Sequence, residues 1–598
     1  MEQLACRPAL TGIDVLGLRL DVTGDPGPFS CALAVNPIID GVVLVELTVT
    51  SQNAHSPPAL TLRLAGQAAG IAHTWRPDRS GSIGILPDWS NDRLASRASC
   101  QAPVLCLHGI DGGNRLTIAS ADALHGGLIG AGVREEDGRL IGHIEPFLPG
   151  RAPGRTFSLR LRLDVRAIPW HQAIQDVSRW WEAMPGHTPL AVPAAGREPM
   201  YSTWYSFHQA CDPKPVLAEC RRARALGCTA VIVDDGWQTL DTSRGYHLAG
   251  DWQPERMGDM RAFVDGVHAL GMGVLLWYAV PLIGFQTAAY RRFERCLLRR
   301  DERLGCAIAD PRYPEVRAFL ADLYTRQLAA WGHDGVKLDF VDCMQPVDGM
   351  PLGAGDGRDI GDLDEAVDAL MKDIAARMIA LRPDLLIEFR QGYIGPLMRT
   401  YGNLFRAGDC PYDAAANRAR TIAIRMLAGS TATHADMLMW SPLDPPAVAA
   451  RQFLAILFAV PQVSVMIERL TAAQRAMLAF WLGWWREHRD TLLDGTLVAE
   501  EPEAGCPQVT ACAGDERITA IYAERVVRLG NVPPRQVWLV NATARNELVI
   551  ALTQSMHVRL VVRDCSGTII QDEAMEFAAG VHLLRIPASG LALVSRAG

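Results

Sequence analysis

The chain contains no run of eighteen uncharged apolar residues, so no segment reads as a helix that spans a membrane. Its fourteen cysteines are scattered, with no C-x-x-C pair among them. That pattern argues against a disulfide frame or a paired-thiol zinc site and predicts reduced thiols, as in a cytoplasm. The opening stretch, "MEQLACRPALTGIDVLG", has no basic segment followed by an apolar core. No secretory leader is legible there, and the expected location is cytoplasmic, or periplasmic if a leader has been trimmed. Positive charge is not in excess either. A formal net charge of −8 argues against a nucleic-acid surface and fits small neutral partners. Internal repeats and low-complexity tracts are missing too.

What remains is an ordinary globular composition on a long chain. With 598 residues, 49% hydrophobic and 21% charged, the protein exceeds one core and should divide into domains. Residues 1–180 read first as short strands, "VVLVELTVTS", "ALTLRLAG", "NRLTIASA" and "TFSLRLRLDVRAI", separated by turns such as "GDPGP" and "DGGN". Apolar and polar residues alternate along them, which predicts an N-terminal β-sandwich. The helix "WHQAIQDVSRWWEAM" closes this domain, and the Pro- and Gly-rich "PGHTPLAVPAAGREP" reads as a linker. Over residues 196–497 the texture changes. Short apolar runs that end in polar residues, "CTAVIVDDGW", "GMGVLLWYAV", "DGVKLDFVD", "DLLIEFRQG" and "GNLFRAGD", alternate with helical segments. This alternation over about 300 residues predicts an α/β fold, a (β/α)8 TIM barrel. Strand texture returns over residues 498–598, in "RQVWLVNA", "ELVIAL", "HVRLVVRD" and "GLALVS", and predicts a small C-terminal antiparallel β-sandwich.

In such a barrel the chemistry gathers at the C-terminal ends of the strands. Strand two ends in Asp234, Asp235 and Trp237, strand four in Lys337 and Asp339, strand five in Glu388 and Arg390, and strand six in Arg406 and Asp409. An isolated K-x-D is more often a structural ion pair, but four charged strand ends form a polar basin. Two carboxylates on separate strands are what glycoside cleavage needs, one to attack or activate water and one to protonate the leaving oxygen. Asp339, beside Lys337, is expected to stay ionised and suits a nucleophile. Asp409, at a loop start, suits the acid by position, although Arg406 could depress it. Trp204, Trp237, Trp252 and Trp277 fall near the same ends, where aromatic faces could stack on sugar rings. For Trp237 and Trp252 the neighbouring carboxylates favour that reading over plain core. His434 and Asp436 lack a third ligand at metal spacing and read as residues behind or beside the substrate. His208 reads as a rim residue, Asp251 as a loop bond or a sugar contact, and Asp342 as a helix-start or supporting carboxylate.

Taken together, "VDDGWQ…RGYHLAGDW", "VKLDF", "FRAGDCPYDAAANRARTIAIRML" and "THADMLMW" resemble the α-galactosidases of glycoside hydrolase family 36. The segments come in the same order and the domain layout agrees, so the resemblance covers nearly the whole chain. It implies an exo-acting, retaining hydrolase with Asp339 as nucleophile and Asp409 as acid/base. It implies that Asp234 and Asp235 hold the 4- and 6-hydroxyls of galactose and that Lys337 reaches the 3- and 4-hydroxyls. Arg406 and Glu388 would lie on the 2-hydroxyl side, with Trp204 and Trp252 walling the sugar. The implied partner is a small molecule or oligosaccharide ending in α-galactose, with no metal or organic cofactor, no nucleic acid, no membrane, and a homo-oligomer as one option. Two departures matter. The strand-five segment "IEFRQGYIG", which carries Glu388 and Arg390, differs from the Cys- and Gly-rich stretch of the best-known bacterial members. It leaves an α-N-acetylgalactosaminidase or a raffinose-type galactosyltransferase open, beside a retired scaffold that only binds sugar. Pro411 and Tyr412 stand between Asp409 and Asp413, and Asp409 is chosen over Asp413, which is expected to cap the next helix or bind Arg418.

Overall fold

The computed structural model describes residues 10–530 and 533–596, and residues 1–9, where the stretch read for a leader begins, lie outside them. Sheets of six and seven antiparallel strands occupy the chain from Ile13 to Asp164. Alternate residues of both sheets, such as Leu60, Leu62 and Leu64 in one and Val45, Leu47 and Leu161 in the other, share one core. That is the period-two burial a sandwich requires. The helix Trp170–Glu182 follows, and Trp170, Ile174, Val177 and Trp181 form its buried stripe. The Trp181 indole donates to the Ser120 carbonyl at 2.8 Å, and Ser178 donates to the Leu427 carbonyl at 3.0 Å. The helix therefore ties the sandwich to the domain that follows.

That domain is built on eight parallel strands: β1 (Met200–Ser202), β2 (Ala230–Val233), β3 (Gly273–Ala279), β4 (Gly335–Asp339), β5 (Leu386–Arg390), β6 (Leu404–Arg406), β7 (Ala432–His434) and β8 (Gln462–Val463). They stand side by side in chain order, β8 pairs with β1, and a parallel bridge from His434 to Val460 closes the ring. A three-stranded antiparallel sheet between Leu282 and Ala309 is inserted after β3. Helix starts follow local chemistry. Asp259, Asp362 and Asp413 each accept a backbone N–H as N-cap, and Thr471 and Gln474 form a capping box.

Inside the barrel the side chains stack in layers. Met200, Ala230, Ile232, Leu275, Leu386, Leu404 and Ala432 form an apolar floor. Two residues further along, the inward positions become Ser202, Asp234, Lys337, Glu388, Arg406 and His434, all buried. The barrel is thus sealed at the bottom and charged above.

Beyond the helix Ala472–Glu487 come a seven-stranded and a three-stranded sheet around a separate core that includes Val537, Leu539, Leu560 and Ile586. Most pairs are antiparallel. Glu516–Ile521 with Gln536–Asn541, and Val526–Arg528 with Leu548–Leu552, run parallel. Among the described residues no helix is long and apolar enough to cross a membrane.

Candidate active site

Alternation on β4 turns Val336 and Leu338 outward into the core shared with the surrounding helices. The same alternation turns Lys337 and Asp339 toward the barrel axis, where they are 3% and 7% exposed. Phe340 then takes a left-handed φ of 61° and folds its own N–H back onto Oδ1 of Asp339 at 2.7 Å. The same oxygen accepts Nε of Arg390 at 2.8 Å and the hydroxyl of Tyr393. Oδ2 accepts the indole N–H of Trp277 at 3.1 Å. Burial alone would raise this carboxyl. Arg390, then Lys337, then the Tyr393 and Trp277 donors outweigh it and hold Asp339 far below the ordinary carboxylate range. The chief cation acting on it is Arg390, ahead of Lys337, the neighbour in sequence. The Lys337 ammonium lies 2.5 Å from Oδ2 of Asp234 instead.

Asp409 follows β6 and is the more open carboxyl, with 48% of its side chain exposed. Nη2 of Arg406, three residues earlier, lies 2.9 Å from its Oδ1. Nη1 of the same guanidinium donates at 2.5 Å to Asp436, which also accepts Tyr205 at 2.9 Å and the Cys410 N–H at 2.7 Å. Burial pulls Asp409 upward, but Arg406 and Lys337 outweigh it and the carboxyl is held down, while the Asp339 charge pushes the other way. The balance thus favours the ionised form of Asp409. Burial acts the other way on its neighbours, raising Asp436 and Glu388, and raising Asp235 to about 6.

The "DDGW" turn is shaped by Gly236, whose φ is 117° and whose missing Cβ would stand 2.5 Å from the Gln209 Cα. Only glycine fits so close an approach. The close contact lets Gln209 and Gln238 each donate to Asp235 at 2.7 Å. Glu388 accepts from Gln462 and lies 3.9 Å from His434 and 3.7 Å from Arg406 Nε. Among the described residues, Glu388 Oε1 and Arg406 Nε have no hydrogen-bond partner.

The expectation for two tryptophans needs correction. Trp237 and Trp252 are 0% and 1% exposed. They stack on each other with ring centres 5.8 Å apart, and Trp237 donates its indole N–H to the Trp277 carbonyl. They are an aromatic layer beneath the basin and present no free face to a sugar. Trp204, partly exposed beneath the Arg244 guanidinium, keeps such a face. Asp251 accepts the N–H groups of Ala288 and Ala289, both at 2.8 Å, at the start of the helix Ala288–Phe293, whose N-cap is Thr287. Asp413 caps its helix through Ala416, whereas Arg418 donates to the Gly505 carbonyl. Tyr393 and Tyr205, which touch Asp339 and Asp436, were not singled out in the sequence. Nothing in their local pattern marks them.

Beside Asp409 a recess of about 310 Å³ opens between two domains. Asp78, Arg79, Ser80 and Gln101 of the sandwich face Arg390, Gln391 and Arg420 of the barrel across it. Arg420 braces this wall, donating to Ser80 Oγ at 3.0 Å and to the Asp409 carbonyl at 2.9 Å.

No family model matches the chain. Two curated relatives are 1,4-α-glucan branching enzymes, from Dechloromonas aromatica (28% identical over 313 residues) and Nocardia farcinica (26% over 302 residues). Each match covers 48% of this chain, and 47% and 38% of those proteins, so the chain spans half of their length or less. Among solved structures, the family 36 α-galactosidase AgaA of Geobacillus stearothermophilus superposes with a TM-score of 0.66 at 14% identity. The alignment covers 100% of this chain and 86% of that one. The α-galactosidase of Lactobacillus brevis gives 0.63 at 14% identity, over 100% and 84%. That of Thermus thermophilus gives 0.53 at 16%, over 81% and 98%. The chain shares the three-part fold of these α-galactosidases.

Proposed function

We propose that the protein is a retaining exo-α-galactosidase. The observation that carries this reading is the pairing of two different carboxyls at one barrel mouth. Asp339 is buried and held toward its ionised form by four donors, and Asp409 is open to the recess, where each charge acts on the other. In the first step Asp339 attacks the anomeric carbon as the glycosidic C–O bond breaks, and Asp409 delivers its proton to the departing oxygen. Oδ2 is the attacking atom, because Oδ1 already accepts three donors and Oδ2 only one. In the second step Asp409, now a base, takes a proton from water. The hydroxide oxygen bonds to the anomeric carbon, and Asp339 leaves as carboxylate.

Asp234 and Lys337 form a ready donor–acceptor pair for neighbouring sugar hydroxyls, with Asp235 and Trp204 completing the sugar wall. Glu388 and Arg406 lie deeper, on the 2-hydroxyl side. Raffinose and stachyose are bound by variants of AgaA, which supports an oligosaccharide as the substrate class here. The retaining geometry requires Asp339 and Asp409 carboxyls about 5–5.5 Å apart. The test is a panel of nitrophenyl α- and β-glycosides that differ at the 2- and 4-positions, with and without an acceptor sugar. Turnover of the α-galactoside, with α-galactose as first product, supports the reading. A preference for the 2-acetamido sugar, for an α-glucoside, or for transfer over hydrolysis overturns it.

A further inference from the structure

Outside the ring of carboxylates, three ligand-type side chains converge where the N-terminal sandwich meets the start of the C-terminal strands. His73 and His108 are directly opposed on neighbouring antiparallel strands, and their rings stack with centres 5.3 Å apart. Glu503 comes from the 3₁₀ turn Pro502–Ala504, more than 390 residues further along. One ligand atom from each of the three lies within 4.8 Å of the others. Three details point to a ligand. His108 Nδ1 sits 3.0 Å from the Gly109 carbonyl. A carbonyl only accepts, so Nδ1 carries the proton and Nε2 is the acceptor, here taking the Ser82 hydroxyl at 2.9 Å, a bond that a metal ion would replace. A metal-bound imidazole is held in that arrangement by its other nitrogen. Among the described residues, His73 Nδ1 and Glu503 Oε2 are both buried atoms with no hydrogen-bond partner. Two buried polar atoms without partners in one three-residue cluster are costly unless a ligand answers them.

We infer that His73, His108 and Glu503 bind one zinc ion, with solvent in the fourth position. Two imidazoles and a carboxylate suit zinc. Bonds of about 2.1 Å in a tetrahedron place ligand atoms about 3.4 Å apart, a contraction of at most about 1.4 Å from the 4.8 Å limit that side-chain rotation supplies. The ion fastens the sandwich to the C-terminal segment. It also fixes the base of a hairpin, because His73 pairs with Gly84 and Trp75 with Ser82. The tip of that hairpin carries Asp78, Arg79 and Ser80 to the recess beside Asp409. Gly81, at the same hairpin, packs so tightly on the Pro502 carbonyl that a Cβ would stand 2.8 Å from it.

The full chain, stripped with a chelator and titrated with zinc chloride by calorimetry, tests this. One zinc per chain is expected, bound at least 100-fold more tightly than by the double variant His73→Gln/Glu503→Gln. Zinc should raise the melting temperature of the wild type and leave the variant unmoved. Both substituted positions are partly exposed, and the metal-free variant should melt at or above the metal-free wild type, which separates loss of binding from loss of fold. Loading with cobalt(II) should give visible bands without the near-ultraviolet thiolate band that cysteine binding produces. Equal binding by wild type and variant, no binding by either, or a thiolate band overturns the assignment.

Discussion

The ammonium of Lys337 on β4 stands 2.5 Å from the Asp234 carboxylate at the end of β2, and each side chain is 4% exposed. Lys337 is one of three lysines in the whole chain, and it crosses over the intervening strand β3 to reach its partner. A pair this deep recovers little more than the cost of taking two charges out of water, so breaking it by halves is worse than removing it. Lys337→Met should therefore destabilise the fold by about 3–5 kcal/mol, and Lys337→Met with Asp234→Asn by less. Denaturant unfolding of both proteins checks the order. A double variant less stable than the single one would contradict it.

Tyr393→Phe removes one donor from Oδ1 of Asp339 and leaves Arg390 in place. The carboxyl of Asp339 is depressed, so losing a donor to its ionised form moves its pKa up, and the acid limb of kcat/KM should shift to higher pH. The rate at neutral pH should fall about 10- to 100-fold, the size of one lost hydrogen bond to a charge. A pH–rate profile reads both.

Arg406 is shared between Asp409 and Asp436. An acid must be protonated to act, and Asp409 is held down by Arg406 and Lys337 against the pull of burial. The alkaline limb of kcat/KM on natural glycosides should thus fall early, at a pH below that at which an ordinary aspartate loses its proton. In Asp436→Asn the guanidinium has one fewer carboxylate to serve and one fewer like charge faces Asp409, so the Asp409 pKa drops further. The alkaline limb should move down by about 0.5–1 pH unit, with little change for substrates whose leaving group needs no proton.

Asp235 is raised to about 6 by burial, against the Gln238 and Gln209 donors. A carboxyl raised in the folded state binds a proton that the unfolded chain has already lost. Its contribution is present below the unfolded pKa and disappears as pH rises through about 6. The shift from 3.8 to about 6 corresponds to about 3 kcal/mol. Melting curves between pH 4 and 7 should show a smaller decline in Asp235→Asn than in the wild type.

The strand ends were readable because two rules act locally. Side chains alternate along a strand, and a parallel barrel opens at the C-terminal ends, so Lys337, Asp339, Glu388 and Arg406 could be placed on one inner surface from spacing alone. Who pairs with whom could not be placed. Lys337 reaches Asp234 across 103 positions, Arg390 reaches Asp339 across 51, and Tyr393 reaches it across 54. Those choices depend on strand stagger and rotamers. The tryptophans misled for a related reason: Trp237 and Trp252 sit beside charged residues in sequence but turn beneath them into the aromatic layer around Trp277 and Tyr278. Adjacency along the chain says little about depth.

The most direct measurement is covalent trapping. The enzyme is incubated with a slowly hydrolysed fluorinated α-galactosyl fluoride, digested, and its peptides weighed and sequenced by mass spectrometry. One sugar per chain, esterified to Asp339 and absent from Asp339→Asn, is the expected result. A sugar on any other side chain, or none on an enzyme that still turns over, would contradict the account.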